Sequence, residues 1–126
     1  MSAKAAMTGL AVAAAVLAAP LAATPAQAQA RPEVGITASG CNHQVCLYTV
    51  YTGSGYQAWA EFTVDVARGH IDFRGPGLRA SSPDGPWKAR IDTRRYPGSG
   101  SGKVCAEGWS YHSGRWHSIG LPCVTM

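Results

Sequence analysis

Four cysteines and four histidines are the residues of this 126-residue chain with the widest chemical scope. Cys41 and Cys46 are separated by four residues, with His43 between them; His112 and His117 repeat that spacing near the end, and Cys105 and Cys123 bracket them. Thiolates and imidazoles in fours are what zinc uses. A zinc finger, however, separates its two halves by roughly 12–15 residues, and the interval from Cys46 to His112 is far longer. Oxidised cysteines are also not ligands. The choice between metal ligand and covalent staple therefore depends on where the chain resides, and no metal is expected if that place is oxidising.

The first thirty residues answer that question. A short start with Lys4 leads into an apolar run from Leu10 to Ala23, then Ala26-Gln27-Ala28-Gln29-Ala30. A basic start, an apolar middle and overlapping A-x-A sites form a secretory signal peptide, residues 1–30, expected to be helical and cleaved. The exported chain, residues 31–126, is expected to be extracellular, with Cys41, Cys46, Cys105 and Cys123 all in disulfides. Two local pairs, Cys41–Cys46 and Cys105–Cys123, are favoured because each closes a hairpin-like segment. A long-range bridge between sheets is the competing connectivity. Ala38-Ser39-Gly40-Cys41 has the look of a lipid-attachment box, but it sits well beyond the apolar run. Lipid on Cys41 would also leave an odd cysteine.

Catalytic patterns are weak in the remainder. There is no Gly-x-Ser-x-Gly elbow, and Gly98–Lys103 has too few residues and no following helix to be a phosphate loop. Paired carboxylates for glycoside cleavage would have to come from the seven acidic residues, most of which, Glu61, Asp65, Asp72 and Asp92 among them, fall on the polar side of extended runs. A non-catalytic protein without a cofactor is expected. Aromatic side chains are the better lead. Trp109, Tyr111 and Trp116 crowd the final hairpin, and Trp59 interrupts an otherwise polar face beside Gln57 and Glu61. Exposed planar rings stack on sugars or anchor protein partners, so these four are the candidate binding residues, Trp59 being the one whose position predicts exposure.

The elements that must position them are strands. Tyr56, Ala58, Ala60, Phe62, Val64 and Val66 alternate with Gln57, Trp59, Glu61, Thr63 and Asp65, the period of a half-buried strand. Ile71 and Phe73 alternate with His70, Asp72 and Arg74; Trp87, Ala89 and Ile91 alternate with Lys88, Arg90 and Asp92, which places Trp87 and Ile91 in the core. Val45–Tyr51 suits a more buried strand. Gly53–Gly55, Gly75-Pro76-Gly77, Ser82–Pro86 and Pro97–Gly102 are turn chemistry. In the last hairpin, folding about Ser113 sets Cys105 opposite Leu121, folding about Gly114 sets it opposite Cys123, and Gly108 marks a bulge.

About seven strands result, beginning near Val34, Gln44, Tyr56, Gly69, Trp87, Lys103 and Arg115. The expected fold is all-β: one small immunoglobulin-like or fibronectin-like β-sandwich of two layers, with a small barrel as second choice. After residue 30, ten Lys/Arg face seven Asp/Glu. Asp65, Asp72, Asp84 and Asp92 are interleaved with the arginines, unlike the clustered basic stripe of a nucleic-acid binder. No second apolar run is long enough to span a membrane. A monomer is expected.

An export signal, an early C-x4-C hairpin, Phe73-Arg-Gly-Pro-Gly77, Ser82-Pro-Asp-Gly-Pro-Trp87 and the closing Cys105…Cys123 hairpin occur together. In that layout the chain resembles small secreted disulfide-bonded all-β proteins of actinobacteria, a group of unassigned activity. The resemblance implies a compartment and a β fold and no catalytic residue. The resulting expectation is a secreted binding module for an extracellular glycan or protein. The alternatives are an inhibitor of a secreted hydrolase, acting through Arg79–Pro86 or the Cys41–Cys46 loop, and a structural component of the cell envelope.

Overall fold

Period-two alternation becomes sheet when one face is apolar enough to bury, and the β-branched and aromatic runs of this chain supply such faces. The computed structural model describes residues 35–126; the expected signal segment 1–30 and the strand start near Val34 lie outside the described residues. Ten strands follow: β1 (Ala38–Asn42), β2 (Val45–Thr52), β3 (Gly55–Phe62), β4 (Val66–Gly75), β5 (Leu78–Ser81), β6 (Gly85–Trp87), β7 (Tyr96–Gly98), β8 (Lys103–His112), β9 (Arg115–Gly120) and β10 (Cys123–Thr125). Almost no helix occurs among the described residues, and no helix there is long and apolar enough to cross a membrane.

The strands form two antiparallel sheets. One has the order β1-β2-β3-β7; the other runs β10-β8-β4-β5, with β9 also paired to β8 and β6 also paired to β4. Val45, Leu47, Tyr56, Ala58, Ala60 and Phe62 from the first sheet meet Ile71, Phe73, Val104 and Ala106 from the second in one buried cluster. Fully burying side chains such as Phe62 or Phe73 stabilises by about 1.5–3 kcal/mol each. The inward set of β3 is the one its alternation predicts.

Several expectations are corrected. The strand expected over Tyr56–Val66 stops at Phe62, the chain bends at Thr63–Val64, and Val64 is exposed. Ile91 is exposed rather than in the core. The Asp65 carboxylate accepts the Ala89 N–H at 2.9 Å and the Phe62 carbonyl accepts that of Arg90 at 2.8 Å. These bonds draw Lys88–Ile91 into a turn in which Arg90 has φ +69°. β5, β7 and β10 are additional short strands. The immunoglobulin-like order is also not observed: β1, β2 and β3 share one sheet, whereas that fold sends its third strand to the opposite layer.

Both favoured disulfides are formed. Cys41–Cys46 joins directly opposed residues of β1 and β2, and Cys105–Cys123 does the same for β8 and β10. Each bridge lies within one sheet. The last hairpin turns on Ser113 (φ +54°) and Gly114 (φ +78°), the two positive φ values that a tight two-residue hairpin requires. It starts with His112 opposite Arg115 and Trp109 opposite Ser118; the register then slips, so that Gly108 faces Gly120. That bulge shifts the count by one residue and brings Cys105 opposite Cys123.

Candidate functional site

Directly opposed residues of neighbouring strands project to the same side of a sheet. Across β9, β8 and β4, Trp116 faces Tyr111, Trp109 faces His70, and Glu107 faces Asp72. With Arg68 and Arg74 two positions either side of that β4 set, these residues share the outer face of the second sheet. The Trp116 ring meets Tyr111 edge-on at 5.1 Å and His70 at 4.8 Å between centroids. The Arg68 guanidinium lies 4.6 Å from the Tyr111 ring centre and 5.3 Å from that of Trp116. Asp84 accepts from two Arg68 nitrogens, each at 3.3 Å, and holds the arginine there. Trp109, Tyr111 and Trp116 are all half-buried, so each ring keeps part of its surface in solvent.

The aromatic end of this face grades into a polar end. His70 Nε2 lies 3.4 Å from Asp72 Oδ1, which also accepts from Ser81 Oγ at 2.6 Å. Glu107 accepts from Arg74 at 3.2 Å and from Ser118 Oγ at 2.8 Å. Such a surface offers flat apolar patches beside paired donors and acceptors, a combination suited to a hydroxylated ligand.

His112 and His117 lie on the other side of the hairpin, stacked 4.0 Å apart with ring planes 11° from parallel. His117 Nε2 is buried without a hydrogen-bond partner. Among the described residues no group of three or more His, Cys, Asp or Glu side chains is placed to hold a metal.

Trp59 requires a correction. It does point away from the core, but it is 6% exposed. Tyr48, its cross-strand neighbour, stacks on it at 5.9 Å, and the Arg95 guanidinium covers it at 3.8 Å. The segment after β6 returns along β3: Thr93 N–H donates to the Ala60 carbonyl at 2.9 Å, and Arg90 reaches Glu61 at 2.9 Å. Glu61 also accepts from the Tyr48 hydroxyl at 2.9 Å. Burial, followed by the bond to Glu61, raises the Tyr48 pKa. Burial, followed by the Glu61 charge, raises that of Asp92, with Arg95 opposing in part. This polar–aromatic cluster covers Trp59 and leaves its ring little open surface. Trp87 is half-buried at the core edge, its indole donating to the Gly69 carbonyl at 3.1 Å.

Of the four aromatic candidates, the fold thus brings Trp109, Tyr111 and Trp116 together and sets Trp59 apart. Arg68 and His70 complete the cluster and were missed; the signal for them was their even spacing with Asp72 and Arg74 on one strand face. No protein-family model, curated protein or solved structure matches this chain. The fold and the site together define a disulfide-stapled, two-sheet β protein with an aromatic and basic outer face.

Proposed function

We propose that this chain is an exported, non-catalytic binding module, resembling small secreted disulfide-bonded proteins, and that it takes an extracellular glycan on the outer face of the second sheet. The observation that carries this reading is the convergence of Trp109, Tyr111 and Trp116 beside Arg68 and His70 on one face. Aromatic faces cover the apolar side of a sugar ring, and the flanking charged pairs bond its hydroxyls. Most of the site stands on the central strands β4 and β8, and Trp116 on β9 is held by its hairpin to β8, so little ordering entropy is lost on docking. Two intrachain disulfides are compatible with an extracellular location.

The test is retention on insoluble cell-wall and polysaccharide panels. Trp116→Ala and Tyr111→Ala are expected to weaken retention at least tenfold, while Trp59→Phe retains it; near-ultraviolet circular dichroism checks that each variant is folded. Equal retention of Trp116→Ala and wild type overturns the proposal.

A second reading, inhibition of a secreted hydrolase, is favoured by how firmly the Ser82–Asp84 turn is fixed. Ser82 exchanges two bonds with Ile71, N to O at 2.9 Å and N to Oγ at 2.8 Å, and Asp84 is tied to Arg68. That reading predicts stoichiometric loss of activity in a protease or amylase panel, and a blank panel removes it.

A further inference from the structure

The second sheet has an edge that the first sheet does not cover. The two-residue Pro76-Gly77 turn makes Gly75 and Leu78 the closing hydrogen-bonded pair of the β4–β5 hairpin. Bonding then alternates: Leu78 and Ala80 bond to β4, and the Ser82 N–H to Ile71 O bond at 2.9 Å keeps the same phase. The backbone N–H and C=O groups of Arg79 and Ser81 therefore point away from β4, off the edge of the sheet. Of these four groups, the Ser81 carbonyl is met by the Tyr96 hydroxyl at 3.4 Å.

The nearest strand beyond this edge is β7. The two sheet edges touch at one end, where the Ser99 N–H donates to the Pro76 carbonyl at 3.1 Å. Beside that contact lies a groove lined by Arg79, Ser81, Pro83, Arg94, Tyr96 and Pro97. The two edges are not equivalent. Pro97 in the middle of β7 has no N–H to offer, a usual way of blocking an edge, whereas β5 carries no such block. Arg79 and Arg94 are exposed and form no ion pair among the described residues; the groove itself is lined by no acidic side chain, and Asp72, which borders Arg79 on the sheet face, is already bonded to Ser81 Oγ. Arg94 instead rests over the Tyr96 ring at 4.8 Å.

We infer that this groove takes a short extended acidic peptide segment of a partner protein, added as a strand to the free edge of β5. Backbone bonds to Arg79 N–H, Arg79 C=O and Ser81 N–H supply the register. Carboxylates on the segment pair with Arg79 and Arg94 and set the preference for acidic sequence. The site adjoins the polar end of the aromatic face, since Arg79 stands opposite Arg74 and Ser81 opposite Asp72, but it is built on the β5 edge and uses none of that face's aromatic residues.

The experiment is a backbone-amide NMR titration of the full oxidised chain with the capped peptide Val-Glu-Val-Glu-Val. Chemical shifts are expected to move at Arg79 and Ser81, whose amide exchange with solvent should slow. Three comparisons fix the cause. The peptide with lysine in place of glutamate is expected to bind at least tenfold more weakly. The peptide N-methylated at its central valine should lose binding, because it cannot complete the strand pairing. The double variant Arg79→Glu with Arg94→Glu, both on exposed side chains, should bind the acidic peptide at least tenfold more weakly. Absence of shifts at Arg79 and Ser81 up to millimolar peptide overturns the inference, as does equal binding of acidic and basic peptides. Shifts confined to the Trp109–Trp116 face overturn it as well, and leave the glycan reading standing.

Discussion

Removing one disulfide at a time, each as a double cysteine-to-alanine change, separates chain entropy from packing. The bridges span sequence separations of 5 for Cys41–Cys46 and 18 for Cys105–Cys123. Loop-closure entropy at 25 °C then assigns about 2 kcal/mol to the first and about 3 kcal/mol to the second. For a domain of this size each kcal/mol moves the melting temperature by roughly 4–8 °C, so losing Cys105–Cys123 should lower it by about 12–24 °C. Losing Cys41–Cys46 should lower it by about two-thirds as much. Packing pulls the other way: Cys46 is 2% exposed, whereas Cys105 and Cys123 are only half-buried. Thermal and urea unfolding, followed by circular dichroism on the oxidised wild type and the two variants, give both values. If the Cys41/Cys46 variant proves the less stable of the two, burial of Cys46 outweighs loop length and the entropic account is wrong here.

Three further outcomes follow from the geometry. Arg95→Ala uncovers the Trp59 ring; a cation–π contact of this kind contributes about 0.5–2 kcal/mol, and iodide quenching of tryptophan fluorescence should rise, unchanged quenching refuting the cover. Asp92 is held above its ordinary 3.8, first by burial and then by Glu61. Its ionisation costs the fold nothing while both states are protonated, and a growing amount as pH climbs from 3.8 through the folded pKa. Asp92→Asn should therefore match wild type in urea at about pH 3 and exceed it at neutral pH; a variant weaker at neutral pH contradicts the assigned shift. Gly108→Ala should destabilise by about 1–3 kcal/mol, because an added Cβ meets Val45 Cγ2 at 2.5 Å and Phe62 Cε1 at 2.8 Å; a variant as stable as wild type in urea would show that the sheets have slack there.

Much of the strand framework was legible because alternation is a local property. The inward set Tyr56, Ala58, Ala60 and Phe62 is in place, and both cysteine pairs sit opposite one another. Gly108, marked by its break in the pattern, does lie at a register slip. Where alternation continued past the true strand end, as at Val64 and Ile91, it misled. Backbone bonds from Ala89 and Arg90 to distant acceptors decided those segments, and no window of sequence shows such partners. The aromatic site was half legible: Trp109, Tyr111 and Trp116 are neighbours in the hairpin, but His70 and Arg68 reach them through the β4–β8 pairing.

Trp59 shows where the division falls. Its sequence position decides that it points away from Phe62 and the core, since successive side chains of a strand take opposite faces. Whether that outer face meets water is decided by what packs over it, and Arg95 arrives from thirty-six residues further along the chain. Sequence by itself determined the inward and outward sides of β3 and favoured the two local cysteine pairs, while the register slip at Gly108 decided that Cys105 faces Cys123 and not Leu121. Tertiary structure alone decided which outer face stayed open, because covering a face is a contact between segments distant in sequence.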